Sequence, residues 1–230
     1  LIVNGGRALD GSIKIQGAKN AILPILAASI MTDEPVVLHN CPKLSDVYNM
    51  LEILNMLGCE AVQSGEIVRV DASKSDSYEM PADLSKEIRS SIFMLGALIS
   101  RFGRAWITQP GGCDIGMRPI DLHLKGLREL NVQIIEEHGA IHCIGKKVIG
   151  AGISLDYPSV GATENIIMAA VKAKGKTVIR NAAREPEVID LAGFINAMGG
   201  DVRFAGTGTI EIHGVEELHG IEYTIIPDRK

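Results

Sequence analysis

Three stretches of the chain are apolar along almost their whole length, at residues 21–31, 91–100 and 164–173. A helix that is apolar on every side is buried on every side, so we expect these three helices at the centre of the fold. Three further stretches carry apolar residues at helical spacing on one face only, which predicts amphipathic helices that face solvent. These are residues 46–57, 119–130 and 187–198.

Each apolar helix opens the same series of predicted elements: a strand, a loop, an amphipathic helix, a second strand, a turn and a third strand. The residues that end the amphipathic helices, Gly58, Asn131 and Gly199, lie 73 and 68 residues apart, which gives a repeat of about 70 residues. Glycine at two of these positions predicts a left-handed helix C-cap. We therefore predict an α/β protein (α+β by some schemes), an inside-out, barrel-like domain in which three βαβαββ-type repeats surround the buried helices. The repeats are expected at about residues 17–75, 85–150 and 158–215.

Composition and charge restrict the classes of function. The 230 residues are 46% apolar and carry 23 basic against 28 acidic side chains, a net charge of −5, which argues against a general nucleic-acid-binding protein. The longest apolar run, residues 21–31, is about half of the roughly 20 residues that span a bilayer, so we expect no membrane span. The sequence does not open with a charged segment followed by a cleavage site, so we expect no signal peptide, and the 4 cysteines form no C-x-x-C pair. We expect a cytoplasmic protein with reduced thiols, no metal and no cofactor.

The longest strand-to-helix loop, residues 109–121, combines three glycines with Cys113 and Arg118 just before a helix that begins at Pro119. Glycine-rich backbone near a helix N-terminus favours anions, and a guanidinium group can bind a phosphate or carboxylate through two hydrogen bonds. A thiol in that setting is expected to be reactive. The alternative is a glycine turn around a small buried cysteine.

The starts of all three apolar helices carry cationic or polar residues. Lys19 opens the first and is the only charged residue between Lys14 and Asp33, Arg89 precedes the second, and residues 159–163 open the third. The helix dipole opposes a cation at an N-terminus, which points to an anionic partner for Lys19; the residues alone favour the alternative, a solvated surface lysine. Three such helix starts at one end of the domain would form a composite anion site.

Two other groups of polar residues are expected to be structural. His138, His142 and Cys143 could suggest a metal site, but they lie in a predicted hairpin without a carboxylate and are expected to be ordinary strand residues. The charged residues 184–187 and Asp190 are expected to be caps and surface pairs of the third amphipathic helix.

Four segments of the sequence closely resemble the UDP-N-acetylglucosamine 1-carboxyvinyltransferases, the enolpyruvyl transferases of bacterial peptidoglycan synthesis. They are residues 17–20, 110–123, 159–163 and 183–187. The match runs nearly end to end and includes Pro227, Asp228 and Arg229. The Pro-Gly-Gly-Cys sequence is specific, because the shikimate-pathway relative, 5-enolpyruvylshikimate-3-phosphate synthase, shares the fold but lacks this cysteine loop.

The resemblance implies a domain of three repeats around a helical core, and it implies that this chain is the N-terminal half of a two-domain protein. Residues 17–229 would form one domain, and residues 1–16 would belong with the second. The start at Leu1 and the end at Lys230 then suggest a truncation at a domain boundary.

The resemblance also implies the reaction, in which the enolpyruvyl group of phosphoenolpyruvate passes to the 3-hydroxyl of UDP-N-acetylglucosamine and phosphate is released. Cys113 would protonate the methylene carbon and would be the target of fosfomycin, and Lys19 and Arg118 would hold the phosphate and carboxylate. Tyr157 stands where many relatives carry a basic residue, which puts that contact in doubt. The residues that would position the nucleotide sugar are Asn20, Arg89, Arg118, Pro119, Ile120, Asp121, Leu122, Ser159, Val160 and Gly161.

In the family the carboxylate that takes the sugar hydroxyl proton, with further arginines, lies in the second domain, so we expect the 230-residue chain alone to be inactive. Two other functions stay open. One is a non-catalytic module that binds a UDP-sugar, and the other is a shikimate-type enolpyruvyl transferase.

Overall fold

A computed structural model gives the fold and describes residues 5, 6, 8, 10–80, 89–108 and 120–229, with the backbone alone at residues 89 and 90. Within these residues the α-helices are α1 (Lys19–Ala28), α2 (Ser45–Met56), α3 (Met94–Phe102), α4 (Asp121–Glu129), α5 (Val160–Ala170) and α6 (Pro186–Ala197). A 3-10 turn, Ser29–Met31, follows α1, and another, Arg89–Phe93, leads into α3.

The odd-numbered helices form the centre of the domain. Residues 21–28 of α1 and 162–170 of α5 are all buried, as are residues 94–99 of α3. The three helices contact one another in every pairing. The prediction that the apolar helices are central is therefore confirmed, and α2 and α4 present exposed residues along their outer faces.

The strands are short and form three sheets around this centre. They are β1 (Val36–His39), β2 (Glu60–Ser64), β3 (Ile67–Asp71), β4 (Arg104–Thr108), β5 (Gln133–Glu137), β6 (Ala140–Ile144), β7 (Gly152–Ser154), β8 (Lys176–Arg180), β9 (Asp201–Arg203), β10 (Thr209–His213) and β11 (Glu222–Thr224). The sheet orders are β11-β1-β3-β2, β4-β6-β5 and β7-β8-β10-β9. Each sheet contains the three antiparallel strands of one repeat.

An additional parallel strand lies at one edge of two of the sheets. β7 pairs with β8, with Ile153 opposite Ile179, and β11 pairs with β1, with Leu38 opposite Tyr223. In the remaining sheet, a parallel bridge between described residues joins Glu79 to Trp106 of β4. The first and third repeats are thus βαβαββ units, and in the second repeat the bridge at Glu79 takes the place of the first strand. The first strand of the first unit, β11, comes from the C-terminal part of the chain. This arrangement confirms the predicted fold class.

The amphipathic helices end as the glycine pattern predicts. Gly58 and Gly199 have φ angles of 90° and 100°, in the left-handed region that a residue without Cβ adopts at little cost. Asn131 takes the corresponding place in the second repeat with φ 64°. The three repeats therefore leave their outer helices by the same kind of turn.

The two ends of the described chain run side by side. The Asp228 N–H donates to the Gln16 carbonyl at 2.9 Å, and the Ala18 N–H donates to the Ile226 carbonyl at 2.8 Å. Residues 10–16 are exposed along this pairing. Among the described helices, none has the length and apolar character required to cross a bilayer.

Candidate functional site

The second central helix begins between the other two. The 3-10 turn Arg89–Phe93, which leads into α3, contacts both α1 and α5. The sequence predicts an anion site at the starts of α1, α3 and α5, and these three helices contact one another. The side chain of Arg89 lies outside the described residues, and its substrate contact stays a prediction.

Lys19 opens α1 and forms an ion pair across to the next helix. Its Nζ lies 3.0 Å from Oδ2 of Asp46 in the first turn of α2, and the two side chains are 46% and 37% exposed. The N-cap of α1 is Ala18, which has no side-chain acceptor for the first backbone N–H groups of the helix. An exposed cation, the exposed Asn20 and an uncapped helix start thus lie together. A surface pair of this kind is weak, so an anionic ligand can compete with Asp46 for the lysine.

The predicted nucleotide-sugar residues 120–122 and 159–161 meet where α4 approaches α5. A Cβ atom at Gly161 would lie 3.2 Å from Cε1 of His123. Such a contact is closer than most side chains tolerate, so the lack of a side chain at Gly161 allows the two helix starts to touch. The structure therefore brings these two groups of predicted residues together.

The N-cap residues of α4 and α5 determine the local structure where these two helices meet. Ser159 is the N-cap of α5, and its hydroxyl accepts a hydrogen bond from the Ala162 N–H at 3.3 Å. Ile120 is the N-cap of α4; Asp121 is exposed and Leu122 is buried. Val160 and Gly161 are half-buried. The first turn of α5 is thus partly open to solvent.

Tyr157 precedes this turn and is 50% exposed. It is the position where the resemblance predicts a basic residue in many relatives. An exposed phenol adds no positive charge there, so the cationic groups predicted for the site are Lys19, Arg89 and Arg118.

A buried polar pair that sequence analysis did not single out lies one turn further along α5. Glu164 and Asn165 are both fully buried. Neither carboxyl oxygen of Glu164 has a hydrogen-bond partner in the described part of the chain. Burial raises the pKa of Glu164 well above its ordinary value, and the charges of Glu187 and Glu185 raise it further. Two adjacent polar residues in an otherwise apolar helix are the signal in the sequence that could have identified them.

The acidic residues of α6 are buried, contrary to the expectation from the sequence. Glu187 and Asp190 were expected in caps and surface pairs, but each is only 4% exposed. Glu187 lies 3.2 Å from the guanidinium of Arg229, and Asp190 accepts a hydrogen bond from the Tyr223 hydroxyl at 2.8 Å. The C-terminal segment covers both carboxylates, and a local charge pattern cannot reveal a partner that lies 33 or 42 residues away.

Three predicted site residues, Cys113, Arg118 and Pro119, fall in the segment 109–119, outside the described residues. The cysteines that the structure describes, Cys41, Cys59 and Cys143, are buried and unpaired. Burial raises their pKa values to about 12, about 11 and about 12 respectively. These thiols stay protonated near neutral pH, so none of the three fits the reactive thiol that the sequence predicts.

The histidines of the second hairpin lie in ordinary strand and turn positions. His142 stacks on Trp106 with ring centroids 4.2 Å apart, and His138 lies in the turn with φ 50°. Cys143 is 1% exposed. Over the residues that the structure describes, no group of three His, Cys, Asp or Glu side chains is placed to hold a metal ion.

Comparison with known proteins identifies the family. A family profile described as EPSP synthase (3-phosphoshikimate 1-carboxyvinyltransferase) matches residues 3–230. The chain belongs to the EPSP synthase family. Within this family it is 56% identical over 227 residues to UDP-N-acetylglucosamine 1-carboxyvinyltransferase 2 of Caldanaerobacter subterraneus subsp. tengcongensis, a match that covers 99% of the chain and 54% of the relative. It is 49% identical over 233 residues to UDP-N-acetylglucosamine 1-carboxyvinyltransferase 1 of Staphylococcus aureus, covering 100% of the chain and 55% of the relative.

The chain therefore spans about half the length of the curated EPSP synthase family members that it matches. Solved structures agree on the fold. The enolpyruvyl transferase NikO from Streptomyces tendae superposes with a TM-score of 0.84 at 29% identity, over 97% of this chain and 53% of that one. An EPSP synthase from Acinetobacter baumannii superposes with a TM-score of 0.77 at 18% identity, over 98% and 52%. At that identity the second likeness concerns the fold alone.

Proposed function

We propose that this chain is the N-terminal half of a UDP-N-acetylglucosamine 1-carboxyvinyltransferase. The observation that carries the proposal is the identity of 56% and 49% to relatives of that name, maintained over 99% and 100% of the chain. The whole protein would transfer the enolpyruvyl group of phosphoenolpyruvate to the 3-hydroxyl of UDP-N-acetylglucosamine. This reaction is the first committed step of peptidoglycan synthesis, so the protein would act in the cytoplasm and support cell-wall growth, cell shape and cell division.

The proposed chemistry is an addition followed by an elimination. The sugar hydroxyl oxygen adds to C2 of phosphoenolpyruvate, the Cys113 thiol delivers a proton to C3, and loss of phosphate and of a C3 proton then restores the double bond. Lys19 and Arg118 would bind the phosphate and carboxylate, since fixed positive charges stabilise these anionic groups during the addition without having to reorganise. The exposed Lys19, which forms a surface ion pair with Asp46, is available for this task.

The nucleotide sugar would bind across the meeting point of α4 and α5. Residues 120–122 and 159–161 already lie together there, and the start of a helix favours a diphosphate. Asn20, Arg89 and Pro119 complete the proposed set. The partly open first turn of α5 is consistent with a ligand at this position.

The second half of the protein would attach where the two chain ends run side by side at Gln16 and Asp228. Residues 1–16 would pack with that half, and residues 17–229 would form one domain. The base for the sugar hydroxyl would come from the second half, and closure of the two halves would exclude water. The 230-residue chain alone would then release no phosphate.

Fosfomycin provides the test of the proposed thiol. The full-length protein that contains this chain is expected to gain one covalent adduct, located by peptide mass spectrometry at Cys113. Cys113→Ala should remove the adduct, with Cys143→Ala as the matched control because that thiol is buried. An adduct at any other cysteine would contradict the assignment.

A shikimate-type transferase is the second candidate, because the matching family profile carries that description. It predicts that shikimate 3-phosphate replaces UDP-N-acetylglucosamine as the acceptor. A non-catalytic module would instead bind the UDP-sugar without releasing phosphate, even as the full-length protein. Acceptor competition in one phosphate-release assay separates the three functions.

A further inference from the structure

Asn165 joins several elements of the candidate site from the centre of the domain. It lies in α5 with no exposed surface. Its Oδ1 accepts a hydrogen bond from the Gly96 N–H at 2.5 Å, and its Nδ2 donates to the Ile92 carbonyl at 2.9 Å. The same Nδ2 lies 3.0 Å from Nδ1 of His123 in α4. One side-chain amide thus connects α5 to α3, to the 3-10 turn before it and to α4.

The partners of Asn165 decide which way its amide points. A backbone N–H can only donate, so the amide atom that faces Gly96 is the oxygen. A backbone carbonyl can only accept, so the atom that faces Ile92 is the nitrogen. The nitrogen therefore also faces Nδ1 of His123, and this ring atom has to accept a hydrogen bond. An accepting Nδ1 means a neutral imidazole whose proton is on Nε2.

The ring of His123 packs against the first turn of α5. A Cβ atom at Gly161 would lie 3.2 Å from its Cε1 and 3.4 Å from its Nε2. The Nε2 edge thus lies beside residues 159–161. A ring N–H beside a helix start suits an anionic acceptor such as a diphosphate oxygen.

We propose that Asn165 is a positioning residue that holds His123 as the neutral Nε2–H tautomer and thereby supports binding of the nucleotide sugar. The effect on binding rests on the proposed function, whereas the tautomer does not. Substrate would contact His123 and the first turn of α5, and Asn165 would act through the ring.

The tautomer is measured directly on the full-length protein with isotope-labelled histidine. Long-range proton–nitrogen correlations of His123, assigned by comparison with His123→Gln, should show an unprotonated Nδ1 and a protonated Nε2. Asn165→Asp keeps the acceptor for Gly96 but places a second acceptor opposite Nδ1, so the proton should move to Nδ1. A wild-type ring protonated on Nδ1 overturns the proposal even if the variant fails to fold.

The consequence for binding is measured by steady-state kinetics of the same proteins. Loss of one hydrogen bond to a charged group corresponds to about a tenfold rise in KM for UDP-N-acetylglucosamine, and KM for phosphoenolpyruvate should stay unchanged. Asn196→Asp is the control, because its amide also bonds one backbone N–H and one carbonyl, both of Val202, at 2.7 and 2.8 Å. That control should leave both KM values unchanged.

The two proposals fail in different ways. A reversed tautomer in Asn165→Asp with an unchanged KM for the nucleotide sugar overturns the positioning role. Absence of any transferase activity in the wild type, with Nε2 protonated, contradicts the proposed function and leaves the tautomer assignment in place.

Discussion

Arg101 provides the sharpest test of how the central helices are held together. It lies in the last turn of α3 with its side chain 10% exposed. Its Nη1 donates to the carbonyls of Ile30 and Thr32 at 2.8 and 2.9 Å, and its Nη2 donates to the Ala72 carbonyl at 2.7 Å. One guanidinium therefore joins α3 to the chain that follows α1 and to the end of β3.

Arg101→Met keeps the apolar part of the side chain and removes every donor. The carbonyl groups of Ile30, Thr32, Ala72 and Ser75 and the exposed Asp33 carboxylate then lose a charged partner. The three carbonyl bonds of 2.7–2.9 Å account for most of the cost, at about 1–2 kcal/mol each where water cannot fully replace them. The expected decrease in the free energy of unfolding is therefore about 3–6 kcal/mol, a large part of the roughly 5–15 kcal/mol that a typical protein has. Arg101→Lys should fall between, because one ammonium group cannot reproduce the two-pronged geometry.

The measurement is urea unfolding followed by circular dichroism. Arg203→Met is the matched control, since Arg203 is 56% exposed and its ion pair is with Asp201 at 2.7 Å on the surface. Its loss should cost less than about 1 kcal/mol. If Arg101→Met and Arg203→Met cost the same within error, Arg101 does not stabilise the packing of the central helices as described.

Three further predictions follow from buried groups. Burial raises the pKa of Glu164, so the protonated side chain contributes its full stability below the ordinary pKa of 4.5, and this contribution is lost as pH rises through the raised pKa. The melting temperature of Glu164→Gln should therefore exceed that of the wild type by an amount that grows with pH. A difference in melting temperature that does not change with pH would contradict this. Gly96→Ala should destabilise by about 1–3 kcal/mol in urea unfolding although alanine favours helices, because the new methyl would overlap the backbone carbonyl oxygen of Asn165. Gly193→Ala in α6 is the comparison and should cost less, because its methyl would approach one side-chain atom, the Tyr223 hydroxyl, at 3.0 Å. An alkylating reagent should label Cys113 in the native protein long before the three buried cysteines, and equal labelling rates by peptide mass spectrometry would be evidence against their burial.

The sequence predicts those parts of the fold that local patterns encode. The central helices are apolar on every side, and the outer helices end at Gly58, Asn131 and Gly199, all with positive φ. These features depend on the residues within one helix and its cap. A repeat of about 70 residues then gives the number of units and their order.

Local patterns do not show where in the sequence the parallel edge strands lie or which strands they pair with. β7 and β11 have only three residues each, too few for a recognisable alternation. β11 pairs with β1 across most of the chain, with Glu222 opposite Val37. The partners of such strands are set by the closed arrangement of three units, which no local pattern contains.

The exposed residues of the candidate site could be predicted from the sequence, whereas the buried polar residues beneath them could not. Exposed or partly exposed residues such as Lys19 and Ser159 stand in motifs that the resemblance identifies. Asn165 and Glu164 were not predicted, because the role of a buried polar residue depends on partners from other helices or other repeats. The ion pair of Lys19 with Asp46 likewise joins two helices across a loop.

The proposed function is that this chain belongs to an enzyme that transfers enolpyruvyl groups to a nucleotide sugar. The most direct measurement is phosphate release from phosphoenolpyruvate by the full-length protein, with product mass determined for each acceptor. We expect phosphate release and a carboxyvinyl product with UDP-N-acetylglucosamine, and neither with shikimate 3-phosphate. Turnover with shikimate 3-phosphate alone, or no turnover with either acceptor, would contradict the proposed function.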